Sequence, residues 1–125
     1  MKIFVLEDNE YRYNFIKTFY KVSDTFIWEA TVSGAIKAFK KNEPFDLILL
    51  DHDLGEEYAP GVGNGTDFAK FLADHGTGKA HVIIHSVNNA GAERMKSYLP
   101  NAELKSIMLW KEYFGHFEER TWIAD

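Results

Sequence analysis

The sequence predicts an α/β domain built on a doubly wound, five-stranded parallel sheet. Three observations predict it. Short apolar runs alternate with amphipathic runs along the chain. The central run "FDLILL" shows no in-and-out alternation, as expected of a strand covered on both faces. The segments between strands are long enough for helices that cross over with the usual right hand. With 125 residues, 46% of them hydrophobic, the chain suits a single domain, residues 1–125, with one sizeable core.

Each element follows from its pattern. "KIFVLE" (Lys2 to Glu7) reads as a buried strand. Asn9 caps a helix reaching about Lys21, with Phe15, Ile16, Phe19 and Tyr20 at helical spacing. "TFIWEA" (Thr25 to Ala30) is the second strand. "TVSGAIKAFKKN" is a helix with Val32, Ala35, Ile36 and Phe39 on one face, and Pro44 punctuates its exit. "FDLILL" is the third strand. A glycine-rich loop, "GEEYAPGVGNG", follows as a flap, and Thr66 or Asp67 opens the helix "DFAKFLADH", ended by Gly76 and Gly78. "HVIIHS" (His81 to Ser86) is the fourth strand, "NNAGAERMKSYLP" a helix closed by Pro100, and "ELKSIMLW" the fifth strand. The tail, Lys111 to Asp125, leaves a short or missing last helix whose aromatics cover one sheet edge.

Composition excludes several function classes. The net charge is -5 with no long basic block, which argues against duplex DNA as a partner. No cysteine is present, so disulfides and thiolate zinc sites are excluded. The start "MKIFVLEDNE" turns acidic too early for a signal peptide, and no segment approaches membrane length. A cytoplasmic chain with no membrane partner is expected, and the oligomeric state stays open.

In an open parallel sheet, ligands bind beyond the carboxyl ends of the strands. Strand one ends in Glu7-Asp8, strand three in Asp51-His52-Asp53, strand four in His85-Ser86-Val87-Asn88 and strand five in Trp110-Lys111. These polar residues converge on one edge from distant parts of the chain. Glu7, Asp8 and Asp51 packed together would raise one another's pKa unless a cation neutralised them, and a hard divalent ion such as Mg2+ is the natural choice. His52 and His85 are poised to take and give protons near neutral pH, on opposite sides of a phosphate. Ser86, Asn88 and the helix start after them form an anion cradle, or else merely cap the helix. Lys111 would add a positive charge beside the anion. A His52–Asp53–His85 transition-metal site is a further arrangement, and it requires a turn at 52–53.

Glu7-Asp8, Asp51, Ser86 and Lys111 occur in the order of a receiver domain of two-component signalling, which has a flavodoxin-like sheet, and the chain resembles that superfamily along nearly its whole length. Receivers do not usually place a histidine straight after the phospho-acceptor. The combination "LEDNEYR", "LLDHDLG" and "IHSVNNAGAERM" is more similar to the cyclic-phosphate processing receiver-like family. That resemblance implies His52 and His85 as the chemical pair, with Asp8, Arg12, Asp51, Asp53, Ser86 and Asn88 as site members. Arg12, one helical turn after Asp8, would bind phosphate or pair with an acid. Glu7, Asp8, Asp51 and Asp53 are the candidate metal ligands. The expected activity is a phosphodiesterase acting on a cyclic phosphate of a nucleotide or RNA end. The alternatives are a signalling module phosphorylated on Asp51 and a nucleotide-binding protein without turnover.

Overall fold

The computed structural model describes residues 1–55 and 61–114, except for the side chains of 113 and 114. The elements run β1 (Lys2–Leu6), α1 (Glu10–Lys17), β2 (Thr25–Glu29), α2 (Val32–Asn42), β3 (Leu47–Leu50), α3 (Gly65–His75), β4 (His81–Ile84), α4 (Asn89–Tyr98), β5 (Glu103–Leu104), a 3-10 turn (Ile107–Leu109) and α5 (Trp110–Phe114). All pairings are parallel, in the order β2-β1-β3-β4-β5. Residues 56–60 of the expected flap, which runs from Gly55 to Gly65, and the tail after Phe114 lie outside the described residues. No helix among the described residues is long and apolar enough to cross a membrane.

Strand side chains alternate between faces, and the sheet uses both. Phe4, Leu6, Ile48, Leu50, Val82 and Ile84 face α2, α3 and α4, where Phe39, Phe68, Leu72 and Met95 complete one cluster. Ile3, Val5, Leu47, Leu49 and Ile83 face the other way, against Ile16, Phe19, Ile107 and Trp110. The run "LILL" is therefore apolar throughout because each face has its own core.

Two boundaries differ from the sequence expectation. The first helix ends at Lys17, not near Lys21. The Thr18 hydroxyl donates to the Phe15 carbonyl at 2.6 Å, and the chain turns with Phe19 still buried. The fifth strand is two residues long, not "ELKSIMLW". Past Leu104 the chain winds into the 3-10 turn and α5, burying Ile107 and Trp110 while Met108 and Leu109 stay exposed. Lys111 accordingly lies on α5, exposed, and not at a strand end.

Candidate active site at the carboxyl edge of the sheet

The strand register places the site. Leu6, Leu50 and Ile84 occupy one row across β1, β3 and β4. One residue further stand Glu7, Asp51 and His85, still tied by backbone bonds: the Asp51 N–H donates to the Leu6 carbonyl at 3.0 Å and the His85 N–H to the Leu50 carbonyl at 2.9 Å. Alternation sends these three side chains to the α1/α5 side of the sheet; in the next row His52 turns to the α4 side, while Asp8, past the strand end, stays within reach of Arg12 on α1. Glu7 and His85 have no exposure and Asp51 has 5%.

Glu7 is a buried carboxylate with a full set of donors. His85 Nε2 donates to Oε1 at 3.0 Å, the Arg12 fork spans both oxygens at 3.0 and 3.1 Å, and the Asn9 N–H adds a bond to Oε2 at 3.0 Å. Burial opposes the charge, but the His85 and Arg12 hydrogen bonds, the His85 charge and the Asn9 N–H together outweigh it and hold the carboxyl at about 2. Asp51 is the opposite case. Burial, reinforced by the neighbouring Glu7 charge, pushes it up to about 6 against the pull of His85, the His52 N–H and Arg12. Burial and the Glu7 neighbour also raise Asp8. The Arg12 Nη2 lies 3.0 Å from Glu7, 3.2 Å from Asp8 and 3.6 Å from Asp51, so one guanidinium serves all three acids. Its own pKa is raised, first by the Glu7 hydrogen bond.

With Glu7 ionised, its contact fixes Nε2 as the protonated nitrogen of His85. Nδ1 is buried with no hydrogen-bond partner among the described residues. Trp110 stands edge-on to the ring, centroids 6.2 Å apart, and Trp28 Nε1 donates to the Glu7 carbonyl at 2.6 Å.

His52 has a different setting. Its Nδ1 meets Asp53 Oδ1 at 2.7 Å, while its Nε2 is buried and unpartnered among the described residues. The ring lies beneath α4: a Cβ on Gly91 would come 2.4 Å from His52 Cγ. The two histidines therefore do not flank one space as the sequence suggested. Burial opposes the Asp53 charge, but the His52 and Asn88 hydrogen bonds prevail and lower its pKa. Asn88 uses its oxygen to cap α4 through the Gly91 N–H at 2.9 Å, and its amide donates to Asp53 at 3.1 Å. The Ser86 oxygen accepts from the Asn88 N–H at 3.0 Å. The oxygens of the expected cradle thus serve the helix start.

A cavity of about 100 Å³ opens at this edge, lined by Arg12, Asp51, Asp53, His85, Val87 and Ile107. Next to it lies an apolar groove of about 590 Å³ that shares the lining residues Arg12, Val87 and Ile107 and adds Tyr11, Phe15, Met108 and Lys111. A hollow of about 390 Å³ lies at the other end of β4, around Thr77 to Val82 and Tyr98 to Ala102, away from the convergent acids. Sequence reasoning placed Val87 and Trp110 at strand ends without a role, and it missed Trp28 and Ile107. The three-residue step from Ile107 to Trp110 was the available helical signal.

Donor atoms of Glu7, Asp51 and His85 lie within 4.8 Å of one another, close enough to hold one metal ion. As arranged, they do not fit one. Both Glu7 oxygens already accept two or more hydrogen bonds, and the Arg12 guanidinium lies among the acids an ion would bridge. Asp53, turned to His52 and Asn88, stands outside the group.

The family model for the cyclic-phosphate processing receiver domain matches residues 1–101. No curated protein matches the chain. Among solved structures, the chain is similar to a CheY-like receiver domain from Methanospirillum hungatei JF-1 (17% identity, TM-score 0.63, 84% of this chain and 78% of that one). It is also similar to a response regulator receiver domain from Clostridium thermocellum (18%, 0.64, 84% and 80%). The Mn(2+)-bound form of response regulator Rcp1 is a third (13%, 0.61, 91% and 94%). At these identities the likeness concerns the fold: a parallel five-stranded receiver sheet, here with a short last helix.

Proposed function

Because this chain belongs to the cyclic-phosphate processing receiver family, we propose that its carboxyl edge hydrolyses a cyclic phosphodiester on a nucleotide or RNA end. The observation that carries this reading is the buried Glu7–His85–Asp51 row beside the cavity. A cavity of about 100 Å³ equals roughly three waters of liquid volume, room for a phosphate group but not a nucleoside. The adjoining groove, with exposed Tyr11 and Met108, receives the rest of the substrate, and Lys111 lies on its rim.

In this proposal Glu7 anchors His85 Nε2–H, so that Nδ1 is the nitrogen free to take a proton. His85 accepts the proton of a water whose oxygen attacks phosphorus. One ester P–O bond breaks, and the departing oxygen takes the proton of the Asp51 carboxyl, raised to about 6. The product is a phosphomonoester with one free hydroxyl. Arg12 faces the phosphate oxygens. His52 acts through Asp53 and Asn88 and is a positioning residue.

The test is an assay on 2′,3′-cyclic mononucleotides and RNA ends. Product forms with the wild type, and His85→Asn and Asp51→Asn each lower the rate by about 100-fold or more. His52→Ala lowers it less. A His85→Asn variant as active as the wild type would falsify the assignment. The rival is phosphoryl transfer to Asp51, favoured by that carboxyl bordering the cavity on a receiver fold. No hydrolysis, together with a stable label on Asp51 after treatment with a small phosphodonor, decides for the rival.

A further inference from the structure

We infer that Arg12 is the built-in cation of this acidic group and holds the place of a divalent metal. Three carboxylates, Glu7, Asp8 and Asp51, converge on one Arg12 nitrogen at 3.0, 3.2 and 3.6 Å. The fork bonds both oxygens of Glu7, which has no exposure at all. The placement is fixed from the backbone: the Arg12 N–H donates to the Asn9 cap at 3.0 Å, in the first turn of α1.

The chemistry favours this cation. Guanidinium is planar, permanently charged and weakly hydrated, and it matches a carboxylate fork to fork. Magnesium sheds its water reluctantly and demands octahedral oxygen ligands. Here a ligand oxygen of Glu7 is already committed to His85, so the set is imidazole-paired and not a free acid pair. An added ion would also face the Arg12 charge across the same oxygens. It would have to expel the side chain and break its bonds to Glu7. Arg12 is 41% exposed on its outer side, so it can leave, but the exchange disfavours the ion.

The experiment measures metal binding by the full chain, with no activity read. Its failure and that of the proposed reaction are thus separable. Mn2+ is titrated by electron paramagnetic resonance into the wild type, Arg12→Gln and Arg12→Lys. Mg2+ is followed through Tm. Arg12→Gln binds Mn2+ at least about tenfold more tightly than the wild type, corresponding to roughly 1.4 kcal/mol. Its Tm rises with Mg2+ while that of the wild type stays put. Arg12→Lys, which keeps the charge, binds as weakly as the wild type. If Arg12→Gln is unfolded without metal, Mn2+ restores its circular dichroism. Equal Mn2+ affinity in wild type and Arg12→Gln, an equal gain in Arg12→Lys, or an unfolded Arg12→Gln that Mn2+ does not restore overturns the inference.

Discussion

Glu7 and Asp51 sit on adjacent strands, both buried, and titrate in opposite directions. Glu7 is held at about 2 against an ordinary 4.5, so it contributes stability that is complete above about pH 4.5 and is lost as pH falls through 2. Asp51 rises from 3.8 to about 6, so the folded state binds its proton more tightly. Its contribution is complete below about pH 3.8 and is lost as pH rises through 6. Each shift corresponds to an order of 3 kcal/mol, and together they put the optimum near pH 4 to 5. Asp51→Asn removes the decline above pH 4 and exceeds the wild type by about 1–3 kcal/mol near pH 7.5, since the amide oxygen still accepts the His52 N–H. Urea unfolding across pH 4 to 7.5 checks this; a variant no more stable than the wild type at the upper end contradicts it. Glu7, Asp51 and His85 were legible as strand ends. The separation of His52 from His85 was not, because one residue of register decides which face a side chain takes.

At the scale of elements, glycines set how closely helices approach the edge. A Cβ on Gly65 would come 2.2 Å from the Asp51 carbonyl oxygen, and one on Gly91 would strike the His52 ring. Gly91→Ala therefore costs about 1–3 kcal/mol by overpacking. The cost shrinks in a His52→Ala background, where the ring is gone, and a double-mutant cycle in urea measures the coupling. Strictly additive effects would show that His52 does not support α4. Sequence patterns located α2, α3 and α4 by their apolar spacing; of the observed caps, Thr31, Asn64 and Asn88, only Asn88 was readable as one beforehand. They failed at β5 because "SIMLW" is a short apolar run, in which strand and helix look alike. The hydrogen bond from the Ile107 N–H to the His85 carbonyl, which pins the turn, has no local signature.

At the scale of the molecule, the sheet order puts β1 and β3 at the centre, with Ile3 to Leu6 and Ile48 to Leu50 fully inaccessible. Their amides open only with the whole fold and exchange slowest. The two residues of β5, on the edge, exchange early. Hydrogen exchange resolved by residue checks the order, and comparable protection in β5 and β1 would refute it. The βαβ alternation made this architecture readable, since both faces of the sheet must be covered. The tying of one of the two cores to this edge has a further consequence. Trp28 donates to the Glu7 carbonyl from one side, and Trp110 meets the His85 ring from another. The Trp110 indole, in contact with a side chain of the site, is thus a native fluorophore whose emission reports what that edge binds.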